Sequence, residues 1–190
     1  MPLTDEDLKL LGVIGSYWAL AEHSLEHDLE LIMGDSKHQA EIAPFAAQKL
    51  VSFSKKVDAF KKLLRITCQE YPDTLEIGRA LMMAGTLISQ KRKKLTHWIA
   101  LRAGPEPDMI RLVDSGRHGV QIEHLPALDL TDIAGEIADW WIDLNKFMVR
   151  LIIDGPLASQ TTVHGPRPDV ASLSWKNFRT IQKIPQTPTN

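Results

Sequence analysis

The sequence predicts a mainly α-helical fold: an up-and-down bundle of four to five helices with a small β-hairpin before the last long helix. Apolar residues recur every three or four positions along most of the chain, which is typical of amphipathic helices. One short stretch, residues 109–125, instead alternates apolar and polar residues around a glycine-containing turn. The chain of 190 residues is 44% hydrophobic, which is enough for a folded core.

Charge is nearly balanced overall, with a net charge of -2, so no global field favours nucleic acid. The distribution is uneven. Residues 1–35 carry eight acids and one base, whereas residues 51–65 carry five bases and one acid. This asymmetry predicts helices that meet each other, or a partner, through opposite charges.

The single cysteine, Cys68, excludes an internal disulfide and is typical of a reducing compartment. The N-terminus is acidic where a secretory signal would be basic. No uncharged apolar run approaches the roughly 18 residues that cross a bilayer. We therefore expect a cytoplasmic protein without a membrane partner.

The first helix is predicted from Thr4 to Met33, with Thr4 as its N-cap. Its apolar stripe is Leu11, Ile14, Trp18, Ala21, Leu25, Leu29 and Ile32. Val13, Leu20 and Leu31 lie off the stripe, so this helix is expected to meet a second neighbour, such as another subunit or a protein partner.

Two histidines, His23 and His27, lie one turn apart on this helix, a spacing that suits a metal ion. Both point away from the main stripe, and the chain contains no Glu-x-x-His motif of the di-iron type. We therefore favour exposed histidines, or histidines at a subunit contact, over a metal site.

A second helix is predicted from Ala40 to about Tyr71, with Pro44 in its first turn or between two pieces. Its buried side would be Phe53, Val57, Phe60 and Leu64, and its lysines would form a solvated face or a surface that follows phosphates. The third helix begins near Asp73 and carries the stripe Ile77, Leu81, Ala84, Ile88 and Leu95, until Gly104-Pro105-Glu106-Pro107 stops the pattern.

The hairpin is predicted over Met109–Leu125. The closing helix follows, capped by Asp129 or Thr131, with the stripe Ile133, Ile137, Trp140, Leu144, Phe147 and Leu151. We interpret residues 1–154 as one helical domain and residues 155–190, which hold five prolines, as a mobile or loosely docked tail. Within the tail, Trp175, Phe178, Ile181 and Ile184 recur at three-residue spacing and could fold onto the domain or onto a partner.

The densest basic run of the chain, Lys91-Arg92-Lys93-Lys94, lies at the end of the third helix, and His97 follows Arg92 after four residues. Arginine forks onto phosphate oxygens, and histidine exchanges protons near neutral pH, so the pair suits a phosphodiester. The alternative is that the run only solvates a helix end and offsets its dipole. On an unbroken helix the two side chains point about 140° apart, so they would share a phosphate only through a helix break or a second chain.

Four helices with Arg-x4-His near the end of the third, then an insertion and a closing helix, resemble the HEPN superfamily of small helical proteins. The stretch Trp18-Ala19-Leu20-Ala21-Glu22 strengthens the likeness to the opening helix of its bacterial members. The resemblance covers roughly residues 8–153. It implies a homodimer whose two motifs face each other, and in active members a metal-independent ribonuclease.

Under this resemblance, Arg92 would hold the scissile phosphate and His97 would act as general acid or base. Lys91, Lys93 and Lys94 would bind the substrate, and Glu22 could orient Arg92 or form a plain structural ion pair. Lys93 departs from the family pattern, in which Asn, Asp or His commonly follows the arginine, and this departure bears on catalysis more than on fold.

The resemblance therefore implies a homodimer that binds RNA or cleaves it without metal or cofactor, in a setting such as bacterial defence or toxin–antitoxin regulation. The alternative is a non-catalytic helical interaction module that uses helix one or the tail. A metal-dependent enzyme that uses His23 and His27 is a more distant hypothesis.

Overall fold

The computed structural model describes residues 2–46, 48–102, 109–114, 119–126, 129–153 and 155–158. Within these residues the protein is mainly helical, with a small antiparallel sheet before the last helix, which confirms the predicted fold class. The predicted stop at 104–107, the hairpin turn at 115–118 and the Trp175 segment lie outside the described residues. The elements are α1 (Asp5–Met33), a 3₁₀ turn (Ser36–His38), α2 (Gln39–Ala46), α3 (Phe53–Thr67), α4 (Pro72–His97), β1 (Ile99–Arg102), β2 (Met109–Asp114), β3 (Gln121–Pro126) and α5 (Asp129–Ile153).

The start of α1 is a reciprocal cap, as the sequence predicts for Thr4. The Thr4 backbone N–H and hydroxyl donate to Asp7 Oδ2 at 2.9 and 2.8 Å. The Asp7 N–H donates back to Thr4 Oγ1 at 3.2 Å. These bonds satisfy backbone groups that have no partner within the helix. The carboxylates of the first turn lie at the positive end of the helix dipole, where negative charge is stabilising.

The predicted apolar stripes of α1, α4 and α5 are confirmed. Every predicted stripe residue of these helices is buried except Leu11, which is half-buried. Off this stripe, Val13 and Leu20 are exposed and Leu31 is half-buried, and a second neighbour of α1 stays a prediction.

The region predicted as helical from Ala40 to about Tyr71 forms two helices, which agrees with the two-piece alternative except that Pro44 does not lie between them. Pro44 lies inside α2, and residues 48–52, before α3, are not helical. Ser52 begins α3 as an N-cap whose side chain accepts from the Lys55 N–H at 3.4 Å. Proline removes one helical hydrogen bond and a capping serine favours a new start, so apolar periodicity alone does not reveal the break.

The helix that carries the basic run ends at His97, before the predicted glycine–proline stop. The next residues form β1, so the predicted hairpin is a three-stranded sheet in the order β1–β2–β3. Both pairings are antiparallel, with Val113 opposite Ile99 and Ile122. Ile110 and Leu112 of β2 are buried, so that face of the sheet belongs to the core.

Contacts divide the chain into two compact units, Met1–Leu20 with Leu87–Ala138, and Ala21–Thr86 with Asp139–Asn190. The first unit contains the sheet. Its buried apolar residues are Ile14, Trp18, Ile88, Leu95, Ile110, Leu112, Leu130, Ile133, Ala134 and Ile137.

The second unit is helical within the described residues and holds the largest buried side chains, Trp140, Phe60 and Phe147. Trp140 is fully buried, and its Nε1 donates to the Leu81 carbonyl at 2.9 Å. Its ring lies against Gly85, where an added Cβ would come within 2.6 Å of ring atoms. Glycine is therefore required at this position by the close approach of the ring.

Among the described residues, we find no helix with both the length and the apolar character needed to span a membrane.

Candidate functional site

The basic run Lys91–Lys94 lies on the last turns of α4, and the helix continues without a break to its final residue, His97. The Trp98 N–H still donates to the Lys94 carbonyl at 3.1 Å. Five residues on an unbroken helix correspond to about 140° around its axis. Arg92 and His97 therefore leave the helix on different sides, and the helix break that would bring them together is not present.

Arg92 is half-buried, and its guanidinium carbon lies 5.4 Å from the centre of the Trp18 ring. This stacking is a cation–π contact and restricts the position of the guanidinium. Its Nε is buried and has no hydrogen-bond partner among the described residues. A buried donor without a partner costs about 1–3 kcal/mol, so an acceptor near this nitrogen would be favoured.

His97 is exposed, as is Lys93. The structure thus places an exposed imidazole and a half-buried arginine on one helix, but on separate sides of it.

The other two lysines of the run are engaged in ion pairs. Lys91 Nζ donates to both carboxylate oxygens of Glu136 at 2.7 and 2.8 Å. Lys94 Nζ donates to both oxygens of Glu123 at 2.6 and 2.8 Å and also lies 5.7 Å from the Trp98 ring centre. These glutamates reduce the positive field of the run, which the sequence pattern did not indicate.

Glu22, the predicted supporting residue, forms an ion pair with Lys56. Lys56 Nζ is 2.6 Å from Glu22 Oε1 and 2.5 Å from Glu26 Oε1, and the lysine side chain is only 6% exposed. Burial opposes the charge of Lys56, but the two carboxylates outweigh it and raise its pKa. The hydrogen bond from Lys56 lowers the pKa of Glu26. The ion-pair alternative for Glu22 is thus present, and orientation of Arg92 by Glu22 stays a prediction.

The exposed side of α1 is another candidate surface. Residues 10–21 contain no charged side chain. Val13, Tyr17 and Leu20 are 37%, 38% and 48% exposed, and their spacing places them within about 60° of one another. An uncharged exposed stripe of this kind is typical of a helix that packs against another chain.

His23 and His27 have strongly exposed side chains, as predicted, and lie 3.7 and 3.9 Å from Glu26 and Glu30. Within the described residues, no group of three or more His, Cys, Asp or Glu side chains has an arrangement that could hold a metal ion.

An Asp–His pair that was not among the predicted site residues follows α1. His38 Nδ1 lies 2.7 Å from Asp35 Oδ2, and Asp35 is 1% exposed. The Asp35 side chain also accepts from the Lys37 N–H at 2.9 Å. A carboxylate that fixes an imidazole is an arrangement used in general-base catalysis, and the Asp-x-x-His spacing after a helix end is its sequence signal.

Cys68 does not complete a nucleophilic site with this pair. The thiol is buried, and burial raises its pKa to about 11. The hydrogen bond between Cys68 and Thr67 acts to lower this pKa, and the Asp35 charge acts to raise it. A thiol with this pKa is protonated at neutral pH, and the thiolate is the reactive form.

Comparison with protein-family models, with curated proteins and with solved structures gave no match for this chain.

Proposed function

We propose that the protein acts on RNA as a HEPN-like homodimer, with Arg92 binding the scissile phosphate and His97 transferring a proton. The observation that carries this proposal is the state of Arg92. Its guanidinium is stacked on Trp18, and its buried Nε has no partner among the described residues. A phosphate oxygen would accept a charge-assisted hydrogen bond from this positioned guanidinium.

Because α4 is unbroken, the proposed site requires residues from two chains. Arg92 and His97 of one chain point to different sides of α4, so a shared phosphate needs Arg92 from one subunit and His97 from the other. The uncharged exposed stripe Val13, Tyr17 and Leu20 offers an apolar surface for such an assembly. In this scheme Arg92 stabilises charge on the phosphate, and His97 assists attack by the neighbouring 2′-hydroxyl.

The direct test is cleavage of end-labelled single-stranded RNA in EDTA. The wild-type protein should cut, and Arg92→Ala and His97→Ala should each lower the rate by about 100-fold or more. Arg79→Ala, an exposed arginine on the same helix, and His23→Ala, an exposed histidine on α1, are the matched controls and should cut normally. If the wild-type chain cuts no RNA, or if both site variants still cut, the enzyme proposal fails.

A mixed-subunit experiment tests the composite site. When Arg92→Ala and His97→Ala chains are co-refolded in equal amounts, half of the dimers contain both chains. Each mixed dimer regenerates one intact site, so about a quarter of the wild-type activity should return. If each site is built from one chain, the mixture stays inactive, and the composite arrangement is wrong.

A second candidate function is a non-catalytic interaction module. The observation that favours it is the pairing of Lys91 with Glu136 and Lys94 with Glu123, because these pairs use half of the basic run. This candidate predicts a protein complex that is recovered from the source cell, weakened by Trp175→Ala, and indifferent to Arg92→Ala. Absence of RNA binding by the wild-type chain, together with recovery of that complex, would favour the module over the ribonuclease.

A further inference from the structure

A cavity of about 330 Å³ lies in the unit that contains the sheet. The end of α4 forms one wall, β2 and β3 form the second, and the first turns of α5 form the third. Its apolar lining consists of Leu95, Leu112, Leu125 and Ile133. This volume and this apolar floor are in the range of small-molecule sites.

Most of the described charged side chains that line the cavity are acidic. Among the described residues, two lysines and four acids line it, which gives these side chains a formal charge of -2. Lys91 and Lys94 each donate to both carboxylate oxygens of one glutamate, Glu136 and Glu123 respectively. The lysine charges are therefore compensated locally, and the cavity does not present them to an anion.

Asp129 and Asp132 supply the excess negative charge. They lie three residues apart in the first turn of α5, so their side chains leave the same face of the helix. Among the described residues, neither carboxylate takes part in a salt bridge or hydrogen bond, and both line the cavity. Negative side chains are electrostatically favoured at this end of a helix.

We propose that this cavity binds an aliphatic diamine or polyamine. An alkyl stem would cover the leucine and isoleucine floor, and an ammonium group would lie between Asp129 and Asp132. A dication matches the excess charge of -2, and burying the stem removes apolar surface from water. The aliphatic ammonium of a lysine side chain on another protein has the same chemistry, so the test must distinguish these two sources.

The experiment is a calorimetric titration of the full chain with 1,4-diaminobutane at fixed ionic strength. Binding should be saturable, and the double variant Asp129→Asn with Asp132→Asn should weaken it by about tenfold or more, because charge-assisted hydrogen bonds are lost. The control variant is Asp73→Asn, an exposed aspartate in the first turn of α4 that does not line the cavity. It should bind as the wild type does.

Two further ligands make the result decisive. Butanoate has a similar stem with the opposite charge, and equal binding of butanoate would overturn the proposal. Nα-acetyl-lysine methylamide tests the side-chain source, and preference for it over 1,4-diaminobutane would overturn the diamine assignment. Loss of all binding at 0.15 M salt, or an unchanged affinity in the double aspartate variant, would also overturn it. No outcome depends on RNA cleavage, so these experiments test the diamine site independently of the proposed function.

Discussion

The guanidinium carbon of Arg92 lies 5.4 Å above the centre of the Trp18 ring, and this contact joins the basic run to the buried stripe of α1. Trp18 is 2% exposed, so core packing fixes the position of its ring. The contact with this ring restricts the position of the Arg92 guanidinium. A mobile surface arginine would lose more side-chain entropy on binding a phosphate than one restricted in this way.

The Arg92–Trp18 contact can be measured with a double-mutant cycle. We expect Arg92→Met and Trp18→Leu, made singly and together, to show a coupling energy of about 0.5–1 kcal/mol in urea unfolding. Arg92→Met keeps the aliphatic stem, so the cycle isolates the charged group. Additive effects would show that the ring does not hold the guanidinium.

Gly85 should not tolerate a side chain. An added Cβ would lie 2.6 Å from the buried Trp140 ring, whereas the same change at Gly15 meets nothing within 4 Å. Gly15→Ala should stabilise the protein by about 0.5–1 kcal/mol through helix propensity. Gly85→Ala should destabilise it by about 1–3 kcal/mol, because overpacking outweighs propensity. Thermal unfolding of both variants tests the contrast, and equal effects would contradict the packing.

Because of Asp28, the free energy of unfolding should fall as pH rises. The residue is buried, its Oδ2 has no partner among the described residues, and desolvation raises its pKa from 3.8 to about 7. Between these values the folded state binds more protons than the unfolded state, so unfolding free energy falls with rising pH and levels off above about pH 7. The full effect is roughly 4 kcal/mol.

Asp28→Asn provides the measurement. It keeps the shape and removes the charge, so it should be more stable than the wild type at pH 8, and the difference should shrink towards pH 4. Comparing the two proteins at each pH cancels other carboxyls, such as Glu26, whose lowered pKa acts in the opposite direction. A difference that is independent of pH would show that Asp28 does not titrate in this range.

Lys56 pairs with Glu22 and Glu26, and we expect neutralisation of each glutamate to lower the free energy of unfolding by a different amount. The Glu22 side chain is 27% exposed and that of Glu26 is 47% exposed, and both contact the nearly buried lysine. Glu22→Gln should cost more unfolding free energy than Glu26→Gln, because a less exposed charge is screened less by solvent. Denaturant unfolding at low and high salt tests this order, and the loss for Glu26→Gln should shrink more in salt.

The helices were predictable because a buried stripe must repeat at the period of the helix. Trp18 and Leu25 on α1, Leu81 on α4 and Leu144 on α5 were all assigned to the core from spacing alone, and all are buried. Thr4 was likewise predictable as a cap, because capping depends on residues within one turn.

The break between α2 and α3 and the strand β1 were not predictable in this way. Phe53 and Val57 continue an apolar pattern that a single helix could also carry, and Ile99–Arg102 becomes a strand only because β2 is available to pair with it. Strand pairing is a non-local interaction, so its partner is not encoded in the pattern of the strand itself.

The sequence by itself determined the helical stripes, the first cap, the exposure of His23 and His27 and the position of the basic run before the sheet. Only the tertiary structure decided that Lys91 and Lys94 are paired with glutamates, that Arg92 stacks on Trp18 and that Asp28 is buried with an Oδ2 atom that has no partner among the described residues. The physical reason is range: periodicity and capping act within a few residues, whereas ion pairs, ring contacts and desolvation depend on residues that are distant in the chain and meet only when it folds.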